Sequence, residues 1–379
     1  MIMKSIIKYA FILAAMLAIG CESPPSGMSG DEETPTTLAE AYADDFYIGT
    51  ALAAHHITGE HEKTSRLIAE QFNAITPENI MKWMHIHPGR DSFNFDLPDQ
   101  FVALGEENDM HIVGHTLVWH SQLAPWVSEV TDSAAMASVM EHHINTIAGR
   151  YKGRIHGWDV VNEALNEDGS LRETPFLTTM GESYLQTAFE LAAAADPEAE
   201  LYYNDYNLCQ PAKREGCVRM IRKLQEAGVK IDGVGIQGHF SMNGPSVEEI
   251  EKSILAFADL GLKVMITEIE VTVLPAPWDV QGADVNQTAE GSDRMNPYAD
   301  GLPDSVAIRH AERYADIFRV FKKHSDKISR VTFWGVDDGH SWKNNWPIPG
   351  RTDYTLVFDR DQEPKMAFDS IMVVANTNQ

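Results

Sequence analysis

The sequence predicts a single α/β domain folded as a (β/α)8 (TIM) barrel, and three observations carry that expectation. Eight short runs are rich in β-branched and apolar residues. Most are followed by a stretch with apolar residues at helical spacing. No internal repeat or second domain breaks the alternation, and strand–helix alternation repeated eight times is the pattern of a closed parallel barrel. The 379 residues would suit two or three domains on length alone, but such barrels routinely take more than about 250 residues as one domain.

In chain order the strand runs are 46–52, 74–78, 112–119, 155–162, 201–206, 233–237, 263–271 and 330–336. Helical spacing is clearest over 65–72, 134–150, 183–195, 212–228, 246–260 and 306–324. A long polar insertion, 275–304, follows the seventh run. Loops of that length are uncommon without a role, so it is expected to border a cleft. The barrel is expected over 36–376.

The N-terminus reads as an address. Lys4 and Lys8 precede an apolar stretch from Tyr9 to Ile19 that is too short to remain as a membrane span. It ends Leu17-Ala18-Ile19-Gly20-Cys21, which resembles the lipobox of bacterial lipoproteins, with Ala18 where Leu is usual. Residues 1–20 are therefore expected as a signal peptide, Cys21 as the lipidated first residue, and 21–35 as a flexible tether rich in Pro, Ser and acids. Ordinary secretion with cleavage nearby is the alternative. The expected location is exported and membrane-anchored, at the outer membrane or cell surface. Cys209 and Cys217 then remain. Pro211 starts a helix that sets Cys217 about two turns in, so the Cα atoms tend to exceed the roughly 7 Å limit for a bridge. Two unpaired thiols are expected, with a disulfide as the alternative.

Composition narrows the partners. A formal net charge of −26 argues against nucleic acid and anionic membrane surfaces, and suggests a neutral substrate. No cofactor is expected, and a monomer is. The pairs His55-His56, His85-x-His87 and His142-His143 suggest metal ligands at first sight, but no convergent ligand set accompanies them in the sequence.

Two glutamates stand out. Glu163 ends the run Gly157-Trp158-Asp159-Val160-Val161-Asn162-Glu163, and Glu268 ends Lys263-Val264-Met265-Ile266-Thr267-Glu268. Most glutamates are solvated surface groups. These two fall at the fourth and seventh strand ends, where a barrel keeps its chemistry. Two carboxylates converging from separate strands suit glycoside cleavage, one protonating the leaving oxygen and the other attacking or stabilising the sugar carbon.

Ordered motifs over roughly 36–376 resemble glycoside hydrolase family 10, the retaining endo-β-1,4-xylanases. They are Thr76-Pro77-Glu78-Asn79 with Met81-Lys82-Trp83, then Gly114-His115-Thr116-Leu117-Val118-Trp119-His120 with Gln122. There follow Trp158 to Glu163, Tyr203-Asn204-Asp205-Tyr206-Asn207, Gly235-Ile236-Gln237-Gly238-His239, Ile266-Thr267-Glu268, and Trp334-Gly335-Val336 leading to Ser341-Trp342. The resemblance implies Glu163 as acid/base and Glu268 as nucleophile, about 5–5.5 Å apart, with xylan or xylo-oligosaccharides as substrate. It places Glu78, Asn79, Lys82, Gln122 and Trp342 around the first two sugars on the non-reducing side. His115, Trp119, Asn162, Gln237, His239 and Trp334 would surround the sugar being cleaved, and Tyr206 the leaving-group side. Where the family typically has Asp to hold the histidine, this chain has Glu270. The longer arm either reaches His239 or leaves it less well held. A β-xylosidase, a mixed β-glucanase or a non-catalytic polysaccharide-capture protein are the alternatives.

Overall fold

The computed structural model describes residues 36–277 and 284–377. The expected leader and tether, with Cys21, lie outside the described residues.

Among the described residues nine strands form: β1 (Tyr47–Leu52), β2 (Ala74–Pro77), β3 (His111–Trp119), β4 (Gly157–Asn162), β5 (Glu200–Asp205), β6 (Gly233–Ile236), β7 (His239–Ser241), β8 (Lys263–Thr272) and β9 (Ile328–Phe333). Eight of them close a parallel barrel in the order β1-β2-β3-β4-β5-β6-β8-β9, with β9 pairing back onto β1. The expected barrel fold is what forms. Helices Glu62–Gln71, Ser133–Arg150, Ser183–Ala195, Pro211–Glu226, Val247–Ala258 and Asp304–Lys323 lie within a few residues of their expected spans. Two further long helices, Asp96–Glu107 and Met366–Ala375, escape the periodicity. Pro98 and Gly105 interrupt the first, and the second is apolar almost throughout, so neither carries a clean amphipathic stripe.

The strands are apolar because both faces are covered. Outward residues pack under the helices in one large core. Val113, Tyr202 and Met265, one each from β3, β5 and β8, form a separate cluster. They come from alternate strands of the barrel, as a layer filling a barrel interior does.

The ninth strand was not anticipated. Gly238, at φ 87°, ends β6 and lets the chain resume as β7, which pairs with the far end of β8. β8 therefore runs four residues past Glu268 instead of stopping near it. The register sets His239 directly opposite Glu270. Cys209 and Cys217 are buried and unpaired, as expected, and burial holds the Cys209 thiol up at about 12. Among the described residues no helix is long and apolar enough to cross a membrane.

Candidate active site

The strand ends of the barrel converge on a cavity of about 250 Å³. Its wall holds Glu163 and Glu268 together with Glu78, Asn79, Lys82, His115, Trp119, Gln122, Asn162, Gln237, His239, Trp334 and Trp342. Residues from six strand ends thus meet in one cavity. Tyr206 does not line this cavity. Its ring sits under the Lys213 ammonium, 3.6 Å from Nζ, and its hydroxyl accepts from Arg172.

Glu163 follows β4 at φ 57°, and Gln122 and Asn207, just beyond β3 and β5, are also left-handed at 45° and 54°. Non-glycine residues in that region are strained, and such strain clusters where side chains must be aimed. Glu163 Oε2 accepts from Trp119 Nε1 at 2.9 Å, and Oε1 accepts from Gln237 and Asn162 at 3.1 and 3.2 Å. Burial, the largest influence, pushes its carboxyl above the ordinary carboxylate value. The negative Glu268 adds to that, while the Gln237 and Trp119 hydrogen bonds oppose it.

Glu268 is as buried as Glu163, yet its balance is opposite. Burial pushes its carboxyl up, but the hydrogen bond and charge of His239, then the charge of His115 and a bond from Asn204, together bring it below its ordinary value. His239 Nε2 lies 3.0 Å from Glu268 Oε2, and Asn204 Nδ2 donates to Oε1 at 2.8 Å. Burial alone would lower the His239 pKa. The charge of Glu270, with help from Glu268, raises it instead, so the ring between the two acids favours the imidazolium.

Glu270 reaches the histidine: Oε1 is 2.7 Å from His239 Nδ1. The longer arm therefore holds His239 rather than leaving it loose. The same oxygen accepts from Trp342 Nε1 at 2.9 Å and faces Lys343 Nζ at 3.5 Å. One carboxylate thus fixes both the partner of Glu268 and an indole of the cavity wall. On the opposite side His115 Nδ1 is held by Asp159 at 2.8 Å, and Trp334 meets the rings of His115 and His239 edge-on.

Lys82 is buried, donates to Asn79 Oδ1 at 3.0 Å, and lies over the Trp119 ring at 4.8 Å. Burial lowers its pKa, opposed by Glu78, Glu268 and Glu163. Burial likewise raises Glu78, opposed by Lys82.

Four contributors were not singled out from the sequence. Asn204 donates to both Asn162 Oδ1 and Glu268 Oε1, and its own oxygen accepts from Thr267. A Cβ at Gly235 would stand 2.3 Å from that oxygen, so the glycine leaves room for the amide. Its place within a motif of β5 was the available signal. Arg172 and Trp346 carried none, because they lie in loops without periodicity. The fourth is Val285, in the long insertion, which lines the cavity. Asp284 pairs with Arg172 at 3.4 Å, Asn286 accepts from Ser121 at 3.2 Å, and Ala289 N–H donates to Pro347 at 3.0 Å. Ser121 and Arg172 follow β3 and β4, across the barrel mouth from β8. The insertion does border the cleft, and 284–289 reach across it.

The histidine pairs divide. His87 and His143 stack in the core, with Nδ1 atoms 3.0 Å apart. His55 and His56 are joined by His340, which corrects the expectation that no convergent set accompanies them. The sequence could not show this, since His340 lies on a different loop.

The family model "Glycosyl hydrolase family 10" matches residues 37–374. Endo-1,4-beta-xylanase A of Xylanibacter ruminicola is 41% identical, covering 89% of this chain and 92% of that protein. Beta-1,4-xylanase of Dictyoglomus thermophilum is 38% identical, covering 89% and 90%. Among solved structures, a GH10 endoxylanase from a sugarcane soil metagenome superposes with a TM-score of 0.87 at 46% identity, covering 89% of this chain and 99% of that one. Xylanase 10B of Thermotoga petrophila in complex with xylobiose gives 0.79 at 33% identity, covering 90% and 97%.

Proposed function

Since the chain belongs to glycosyl hydrolase family 10, we propose that Glu163 is the acid/base and Glu268 the nucleophile of its reaction. The chain is an endo-1,4-β-xylanase, and the family is retaining. The observation that carries the assignment is that two equally buried carboxylates in one cavity have unlike partners: Glu163 takes neutral donors from Trp119, Gln237 and Asn162, and burial holds it up, whereas Glu268 lies against His239 and Asn204, which hold it down. Environments that push two acids apart assign one as proton donor and the other as anion.

In the first step Glu268 forms a bond to the anomeric carbon as the bond to the leaving sugar breaks, and Glu163 gives its proton to the departing oxygen. In the second step Glu163, now a base, takes a proton from water as that water displaces Glu268. Once Glu268 is an ester its charge is gone, which removes one of the influences holding Glu163 up. Asn204 and Asn162 link the two carboxylates through hydrogen-bonded amides, which supports a fixed spacing between them.

Two variants test the roles. Glu268→Ala removes the covalent route and should fail on every substrate, whatever its leaving group. Glu163→Ala should lose about 10²–10⁴-fold on xylan, yet still form the glycosyl-enzyme from aryl xylosides with acidic phenols, and then stall. Azide, which needs no base, should restore turnover and give the β-glycosyl azide. Equal loss on activated and natural substrates, or an α product, would overturn the assignment.

Xylose is preferred over glucose in this reading because the family resemblance assigns Glu78, Asn79 and Lys82, which line the cavity wall, to a narrow pocket near the sugar's exocyclic position, and repulsion discriminates more sharply than added contact. Xylo-oligosaccharides should be cleaved well ahead of cello-oligosaccharides of equal length. Comparable rates on the two series would count against it. Cys21 is the proposed lipid anchor, supported by the lipobox-like ending and the polar stretch after it, with the outer membrane or cell surface as the place where a polymer can be met.

A further inference from the structure

Away from the catalytic cavity, three imidazoles meet at the rim of the barrel. His55 and His56 lie on the short helix Ala54–Ile57 that follows β1, and His340 lies in the loop between β9 and Trp342. One ligand atom from each lies within 4.8 Å of the other two. The ring centroids are 3.9, 4.7 and 5.5 Å apart. Rings bound through nitrogen to one tetrahedral ion at about 2.0–2.1 Å have centroids roughly 5 Å apart, so the His340 ring stands near that spacing from both others, and the His55 and His56 rings would spread by about 1 Å to share an ion. From these positions we propose that His55, His56 and His340 form a site for a divalent transition ion of the zinc class, independent of the xylanase chemistry.

Two further observations support it. His55 Nε2 and His56 Nε2 are buried with no hydrogen-bond partner among the described residues. Buried polar atoms are rarely left so, and an unpaired one calls for a ligand. His340 has the arrangement of a held metal ligand. Its Nδ1 lies 2.9 Å from both oxygens of Asp337, a fully buried carboxylate that also accepts from the Gly339 and His340 amides and from Gln362. A carboxylate on one ring nitrogen fixes the tautomer and leaves Nε2 to the ion. His56 is the weakest of the three, because its Nδ1 accepts from the Ala53 amide at 3.1 Å. That bond keeps the proton on Nε2 until the amide is released. His55 and His340 therefore carry most of the affinity. Borderline-soft divalent ions suit imidazoles, whereas Ca²⁺ and Mg²⁺ require oxygen donors. A bound ion would tie the loop after β1 to the segment that carries Trp342.

The test is calorimetric titration of tag-free, chelator-treated protein with Zn²⁺, alongside thermal melts with and without the ion. The expected result is one tight site per chain and a melting temperature that rises with ion concentration. His340→Ala, at an exposed position, should fold normally and weaken that site by more than about 100-fold, and Asp337→Asn should weaken it by about 10–100-fold. His55→Ala should match His340→Ala, and His56→Ala should lose less. Ca²⁺ should not compete. Absence of a tight site, or a site whose affinity is unchanged in His340→Ala and His55→Ala, would overturn the proposal.

Discussion

A single carboxylate, Glu270, connects the charge of the nucleophile to the shape of the cavity. It raises His239, His239 lowers Glu268, and the same oxygen fixes Trp342. The sign of a pH effect follows. Activity needs Glu268 ionised, so it is lost as pH falls through the lowered pKa of Glu268. It also needs Glu163 protonated, so it is lost as pH rises through the raised pKa of Glu163. Glu270→Gln keeps an acceptor for Trp342 but removes the charge that holds His239 as imidazolium. Glu268 then loses its cationic partner and its pKa rises. The acid limb of kcat/KM should move to higher pH while the alkaline limb stays, a split that damaged folding would not produce. An unmoved acid limb would show that Glu270 acts only through packing. The residue types at this site were legible in the chain, since Glu163, Glu268, His239 and Gln237 fall in motifs at strand ends. The joint duty of Glu270 was not, because Trp342 and Lys343 reach it from a loop more than seventy positions away.

At the scale of elements, the strands and most helices follow local periodicity, and the departures from it shape the site. β7 is only three residues long, below the length at which alternation can be read. It exists because β8 overhangs the barrel and offers an unpaired edge at Glu270–Thr272. The insertion after β8 shows no period at all. Its later half is secured by Asn296 to the Thr352 amide and by Tyr354 to the Tyr298 carbonyl, beside a small apolar cluster of Val273, Leu274 and Val306. Residues 284–289 meet the opposite side of the mouth through Asp284 and Asn286. The double variant Asp284→Ala/Asn286→Ala removes two partly exposed contacts without touching the core. Each such contact contributes about 0.5–1.5 kcal/mol, so KM for short xylo-oligosaccharides should rise about 2–10-fold with kcat nearly unchanged. Steady-state kinetics on xylotetraose and on polymeric xylan would check this. If neither KM moves, 284–289 do not hold the sugar.

For the whole molecule, the acidic surface and the N-terminal motif make separate contributions. A net charge of −26 repels an anionic bilayer, so any attachment must come from lipid rather than from electrostatics, and one acyl chain alone gives only marginal binding. Expressed in a bacterium, the protein should fractionate with membranes, and Cys21→Ser should release it in active form. A Cys21→Ser protein that stays with the membranes would remove lipidation as the anchor. The sequence by itself determined the eightfold strand–helix alternation and the placement of two acids at the fourth and seventh barrel-strand ends. Both follow from periods of 2 and 3.6 residues and from where apolar runs stop, which are local properties. Only the tertiary structure decided that β7 lays His239 against Glu270, that residues 284–289 meet the loops after β3 and β4, and that His340 joins His55 and His56. Each of these joins segments far apart in the chain. Such contacts are set by closure of the barrel and by strand register, which no local pattern encodes.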